Sequence, residues 1–326
     1  MTPVTSSATF SEIVPDKAGC SVIRTRLRQL VPAACVVAAS IALVACGSSS
    51  TSGNQGPGTI RVVASTNVYG DIVKQIAGDK IKITALVTDP GADPHSYEAN
   101  TQNQLAISKA DLVIENGGGY DDFMDAMLKS AKNSKATVLN VVDISGKKSA
   151  AGEELNEHVW YDFPTMEKLT DQVVAVLQAK DSANASTFVA NANALKEKLQ
   201  GFEATEAEIK RLHAGDGVAI TEPVPLYLLD ASGLTNKTPA AFSKAIEAET
   251  DVPPTVLKQT LDLFNGKQVK ALVYNSQTTG PQTEQVLNAA KSNRIAVVPI
   301  TETLPAGKDY STWMADNIAA LRSALG

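Results

Sequence analysis

The chain of 326 residues holds only three histidines, and two of them sit in segments suited to metal chemistry. His95 lies in Asp93-Pro94-His95-Ser96-Tyr97-Glu98, a loop that follows a β-rich run. His158 lies in Asn156-Glu157-His158-Val159-Trp160-Tyr161-Asp162, just ahead of a helical pattern. Imidazole is the commonest side-chain ligand for transition metals. Open parallel sheets place their ligands in loops past the carboxyl ends of strands. On position alone, both histidines read equally well as ordinary surface residues. Two carboxylates occupy matching places further on: Glu222 after Ile220-Thr221, and Glu302 after Ile300-Thr301. A glutamate just past a buried strand is placed to point into a cleft, although an N-cap or a solvated charge is the plainer alternative for each. The third histidine, His213, ends a long helical stretch and reads as structural or surface. The three cysteines, Cys20, Cys35 and Cys46, all fall in the first 46 residues. Neither a disulfide framework nor a thiolate metal site is therefore available in the rest of the chain.

For such residues to meet, the chain needs strands whose ends converge. From residue 60 it alternates short β-rich runs with helical patterns. Strands are predicted over 60–64, 81–87, 111–115 and 137–142, and helices over 68–77, 102–109, 121–132 and 163–177. The alternation resumes after residue 213, with strands over 217–221, 269–274 and 295–298, the last stopped by Pro299. Helices are predicted from 225, 254, 280 and 310. This pattern predicts an α/β fold with parallel sheets covered on both faces. Between the halves, 185–212 contains one glycine, Gly201, and no proline. As a helix it would span about 40 Å at roughly 1.5 Å per residue, more than one α/β layer needs. The expected organisation is two lobes, 60–184 and 214–326, joined by one long rigid helix over 185–213, with the ligand cleft between the lobes. No repeat is visible in the sequence. Asn116-Gly117-Gly118-Gly119 lacks the Lys-Ser/Thr of a phosphate loop and reads as a turn. Trp160, Tyr161 and Trp313 read as packing. Asp162 or Glu157 could orient an imidazole through a hydrogen bond, and Asn275-Ser276-Gln277 could face the cleft edge.

Taken in order, "DPHSYE" at 93–98, "EHVWYD" at 157–162, the long helix, "ITEPVPLY" and "ITETLP" resemble the metal-binding receptors of zinc/manganese import transporters. That family includes zinc-uptake receptors and manganese-receptor lipoproteins, and the resemblance runs from Ile60 to the C-terminus. It implies that four side chains, two from each lobe, enclose one divalent ion, Zn2+ or Mn2+, for delivery to an ABC importer permease. By position these are His95, His158, Glu222 and Glu302. The third is histidine in many zinc receptors and glutamate in the manganese type. The fourth is commonly aspartate, so Glu302 departs by one methylene. The His-rich loop of well-known zinc receptors has no counterpart here. Two neutral imidazoles and two carboxylates balance a dication, and nitrogen and oxygen donors suit zinc and manganese alike. Two other readings compete: a metal-dependent hydrolase, and a surface adhesin with a structural metal. No H-E-x-x-H or nucleophile motif supports an enzyme.

The front of the chain reads as an export and anchoring signal. Arg24, Arg26 and Arg28 precede an apolar stretch over 30–45, shorter than the ~20 residues of a membrane span and suited to a signal peptide. Leu43-Val44-Ala45-Cys46-Gly47 resembles a bacterial lipobox, which makes Cys46 the expected lipidation site. The Gly/Ser-rich linker that follows reaches residue 59 as a flexible tether. The body is therefore expected on the extracytoplasmic face of the cell membrane, lipid-anchored and monomeric. A net charge of −6, with no clustered basic patch in the body, argues against nucleic acid as a partner.

Overall fold

Period-2 alternation of small and β-branched residues builds the strands. In β1 (Arg61–Thr66) and β3 (Leu112–Glu115), Val62, Ala64, Leu112 and Ile114 face one way, and Val63 and Val113 the other. Both faces are buried, as parallel strands between helical layers require. The structure is a computed structural model that describes residues 59–149 and 155–326. The leader, Cys46 and the tether lie outside the described residues.

The first half continues with α1 (Asn67–Ala77), β2 (Lys82–Val87), α2 (Thr101–Ser108), α3 (Phe123–Ala131), β4 (Thr137–Asn140), α4 (Val141–Ser145) and α5 (Phe163–Lys180). Then comes α6 (Ala185–His213), 29 residues long. The second half holds β5 (Gly217–Ile220), α7 (Leu226–Ala231), β6 (Thr235–Asn236), α8 (Ala240–Glu247), α9 (Pro254–Asn265), β7 (Ala271–Asn275), α10 (Pro281–Ser292), β8 (Ala296–Ile300) and α11 (Tyr310–Leu325). Two four-stranded parallel sheets result, ordered β2-β1-β3-β4 and β6-β5-β7-β8. The same strand order thus occurs twice, a repeat that the sequence does not display. The expected two α/β lobes and their long connecting helix are present.

Helix α6 buries Phe188, Ala192, Leu195, Leu199, Glu206 and Ile209 along one stripe at three- and four-residue spacing. It packs on α1 and α5 in the first lobe and on α7 and α11 in the second. One hydrophobic core consequently runs through both lobes. A smaller core covers the outer face of each sheet. A helix packed into both lobes over most of its length resists bending as a free hinge would not.

Three local expectations need correction. Pro299 does not stop β8: Tyr274 pairs with Pro299 and Asn275 with Ile300. Strand β8 is an edge strand, where a missing N–H is tolerated. Strand β4 ends at Asn140, whose side chain accepts from Asp143 N at 3.0 Å and starts α4. The short elements β6 and α8 escaped the sequence pattern altogether.

Candidate metal centre

Each candidate donor is held by its own local device. Asp93 caps the 3-10 turn Pro94–Ser96 that follows β2, its Oδ1 accepting from His95 N at 2.9 Å. This turn presents the His95 imidazole. The Asn116–Gly119 segment is a turn, and Gly117 at φ +76° lies so close to Asn140 that a Cβ there would collide with its amide. Asn116 Nδ2 donates to Glu157 O at 3.0 Å and so holds the segment that carries His158. The Asp121 carboxylate fixes the turn, accepting from Asn116 N at 2.6 Å and Gly117 N at 2.8 Å.

His158 is fully buried. Its Nδ1 lies 2.7 Å from Asn156 Oδ1. Asn156 Nδ2 donates to Pro223 O at 3.3 Å, which fixes the amide orientation because a carbonyl can only accept. Asn156 Oδ1 must then be an acceptor and Nδ1 carries a proton, which leaves Nε2 as the ring nitrogen that faces the cleft. Nε2 has no hydrogen-bond partner. The orienting group is therefore Asn156 and not Asp162, which caps α5 and pairs with Lys147 at 2.9 Å. Glu157 faces His95 instead, with its Oε1 3.8 Å from Nε2. Tyr120 is buried beside both imidazoles, edge-on at 5.0 Å from His95 and 5.8 Å from His158, and Trp160 packs on His158 at 5.0 Å. These rings wall off one side of the site.

Glu302 follows β8. Asn275 Nδ2 donates to its Oε1 at 2.6 Å, and Gln277 Oε1 accepts from its backbone N–H at 2.5 Å. Asn275 and Gln277 thus do stand at the cleft edge. The other Glu302 oxygen lies 4.0 Å from His158 Nε2. Glu247, the last residue of α8, brings Oε1 to 3.3 Å from His158 Nε2 and 3.6 Å from His95 Nε2. Donors on a tetrahedral ion with bonds of about 2.0–2.1 Å stand about 3.3–3.4 Å apart. Among the described residues, two sets have donor atoms within 4.8 Å of one another: His95, Glu157, His158 and Glu247, and Asp93, His95 and Glu302.

Of the four donors expected from sequence, His95 shares one set with His158 and the other with Glu302, and Glu302 lies 4.0 Å from His158 Nε2. Glu222 is buried beside them but belongs to neither set, and its Oε2 has no hydrogen-bond partner. Sequence reasoning missed Glu247, Asn156 and Tyr120. The signal for Glu247 was the apolar spacing of Phe242, Ala245 and Ile246 just ahead of it on α8. His95, Glu157 and Glu247 open onto a cavity of about 1070 Å³ walled by both halves of the chain, with Pro223 and Tyr227 on the side of Glu247.

The electrostatics follow from crowding charge into a buried place. Burial, then the charges of Glu302 and Glu247, push Glu222 up to about 9, against hydrogen bonds from Asn275 and Thr278. Burial also raises Glu302, partly offset by His158. Burial alone would lower His95, but the hydrogen bond and charge of Glu247, then the charges of Glu157 and Asp93, lift it to about 9. Glu247 is raised by burial but held below the usual range by His158 and His95 together. Such a concentration of carboxylates and imidazoles needs protons or a cation to be stable.

Comparison with known proteins agrees with this chemistry. The sequence profile of the family described as "Zinc-uptake complex component A periplasmic" matches residues 62–324. The manganese-binding lipoprotein MntA of Bacillus subtilis (strain 168) is 26% identical over 263 residues, covering 79% of this chain and 84% of that protein. The manganese ABC transporter substrate-binding lipoprotein PsaA of Streptococcus pneumoniae is 27% identical over 259 residues, covering 74% and 79%. Among solved structures, the periplasmic zinc binding protein TroA from Treponema pallidum superposes with a TM-score of 0.69 at 19% identity, over 82% of this chain and 100% of that one. A periplasmic metal binding protein from Candidatus Liberibacter asiaticus gives 0.66 at 18% identity over the same shares. At these identities the structural likeness establishes the fold.

Proposed function

We propose, because the chain belongs to the zinc-uptake complex component A family, that it is the extracytoplasmic receptor of a divalent transition-metal importer. It captures one Zn2+ or Mn2+ ion between its lobes and hands it to the permease of an ABC transporter. The names of its relatives, manganese-binding and substrate-binding lipoproteins, support this reading and a lipid anchor at Cys46. On this reading residues 1–45 are a signal peptide, 46–59 the lipidated tether, and the folded body works as a monomer.

The observation that carries the proposal is the gathering of His95, the buried His158 with its unpartnered Nε2, and several carboxylates into two donor sets that share His95, with Glu302 4.0 Å from His158 Nε2. His95, His158, Glu222 and Glu302 are the proposed donors; the buried Glu222 carboxylate lies close enough to Glu302 to feel its charge. Neutral imidazoles with carboxylates neutralise a dication and match the donor preferences of zinc and manganese. The proposed role is binding without catalysis. A catalytic zinc keeps an open position for water, whereas carboxylates crowd this one.

Elemental analysis and competitive binding on the soluble body from Gly47 onward test the proposal. One equivalent of metal is expected in the wild type and a loss of binding in His95→Ala. A wild type that binds neither Zn2+ nor Mn2+ at submicromolar concentration would overturn it.

A further inference from the structure

The receptor reading leaves one acidic side chain unused. Glu247 is mostly buried at the end of α8, and its Oε1 lies 3.6 Å from His95 Nε2 and 3.3 Å from His158 Nε2. Among the described residues it is the one carboxylate within 4.0 Å of both imidazole Nε2 atoms. Its carboxylate is thus held against the same two nitrogens that a metal ion would use.

Topology supplies a second, independent observation. The two sheets share one strand order, so positions in one lobe have counterparts in the other. His95 sits on the short helical turn between the second strand of its lobe and the helix α2. Glu247 sits on the short helix between the second strand of its lobe, β6, and the helix α9. The likeness extends outward, since α2 packs on α3 as α9 packs on α10. His158 and Glu302 each follow the fourth strand of their lobes. In this frame Glu222, which follows the first strand of its lobe, corresponds to the Asn67 region and not to either histidine.

We infer that Glu247 is a direct ligand of the ion, the second lobe's counterpart of His95, and that it tunes metal preference by adding an oxygen donor. The inference rests on the receptor reading and deepens it. Each lobe then supplies one donor past its second strand and one past its fourth: His95 and His158 from one, Glu247 and Glu302 from the other. With Glu222 and Glu157 close by, the ion can gather more than four donors, most of them oxygen. Zinc is satisfied by four; manganese favours oxygen-rich sites of higher coordination number. Removing one carboxylate donor should therefore weaken manganese more than zinc.

A competing role for Glu247 is a latch that occupies the two imidazoles without metal and is displaced on binding. The two roles predict opposite signs. Mn2+ and Zn2+ affinities are measured by chelator competition on the soluble body for wild type, Glu247→Gln and His158→Ala, with circular dichroism to verify folding. As a ligand, Glu247→Gln weakens Mn2+ binding tenfold or more and Zn2+ binding less, and alters the visible absorption of the Co2+-loaded protein. Unchanged or tighter binding in Glu247→Gln, alongside a weakened His158→Ala, overturns the inference and leaves the receptor reading standing. If Glu247→Gln misfolds, Glu247→Asp, which keeps the charge but retracts the oxygen, replaces it with the same readouts and the same deciding outcomes. A wild type that binds neither metal overturns both.

Discussion

Asn156 offers the most direct test of how the site is prepared for metal. Its Oδ1 takes the Nδ1 proton of a fully buried imidazole at 2.7 Å, while its Nδ2 reaches Pro223 O in the other lobe at 3.3 Å. Asn156→Ala leaves the Nδ1–H of His158 without this acceptor. An orphaned buried donor costs about 1–3 kcal/mol. The proton has an alternative: it can move to Nε2, where the Glu247 carboxylate waits at 3.3 Å. That tautomer satisfies the ring but blocks the nitrogen required for metal. Either route weakens binding, and groups that orient a ligating histidine typically contribute about 10–100-fold in affinity. At about 1.4 kcal/mol per decade this is roughly 1.4–2.8 kcal/mol, the same range as the orphan cost.

Asn156→Asp separates this effect from loss of the lobe contact. Both variants lose the hydrogen bond to Pro223 O, but aspartate keeps an acceptor for Nδ1. Chelator competition should find Asn156→Asp within a few-fold of wild type and Asn156→Ala at least tenfold weaker. Imidazole nitrogen shifts by NMR should show His158 changing tautomer in Asn156→Ala alone. Equal losses in the two variants, or wild-type affinity in Asn156→Ala, would refute the orienting role.

Other outcomes follow from the same geometry. His95 and Glu222, both lifted to about 9, hold protons at pH 7 that ligation must expel; affinity should rise roughly tenfold per pH unit for each proton displaced between pH 6 and 8, and a flat profile would count against it. Glu206 on α6 is raised from 4.5 to about 8 by burial, then by Glu203 and Asp162. The folded state therefore keeps a proton that the unfolded chain releases, and stability falls as pH rises from about 4.5 to about 8. Glu206→Gln should be more stable than wild type at pH 8 by on the order of 4 kcal/mol, with the gap closing near pH 4.5 in urea unfolding. Asn67 pairs with both backbone groups of Leu304 at 3.0 Å; Asn67→Ala should cost about 1–2 kcal/mol and speed metal release in stopped-flow chelation, whereas an unaltered off-rate would detach this clamp from release. Chelator-stripped protein should keep its far-ultraviolet dichroism, because the shared core and not the ion holds the lobes together.

The ligand loops are pinned across the cleft at residues adjacent to the donors. Tyr161 in the first lobe donates to Thr301 O at 2.8 Å, one residue before Glu302. Gln277 bonds to Pro90 O, Thr303 and the Glu302 N–H. Tyr310 donates to Trp160 O at 2.6 Å, two residues past His158. With α6 packed along both lobes, release is easier by breaking these few contacts than by bending a 29-residue helix. Local loop movement is then the natural opening mode.

How much of this the sequence displayed depends on the range of each signal. The strands, α6 and the positions of His95, His158 and Glu302 were legible because each rests on local pattern: apolar alternation, an unbroken helical stretch, a polar donor just past a strand. Strand β6 is two residues long, too short to carry a period, and without it the eight-residue α8 had no strand ahead of it to frame it. With them Glu247 stayed hidden, although it is nearer the imidazoles than any carboxylate picked from sequence. Glu222 was read from its place just past a strand and from the resemblance, and in the structure it belongs to neither donor set. The strand it follows is central in its sheet, and its buried carboxylate is close enough to Glu302 and Glu247 to feel their charges. The doubled topology explains both outcomes. A donor's place is set by which strand it follows in the sheet order, and that order is a three-dimensional fact, recoverable only once β6 is known to pair with β5. Glu247 is thus the sharpest point of disagreement between local pattern and fold, and its substitution decides which of the two gives the better guide to the metal.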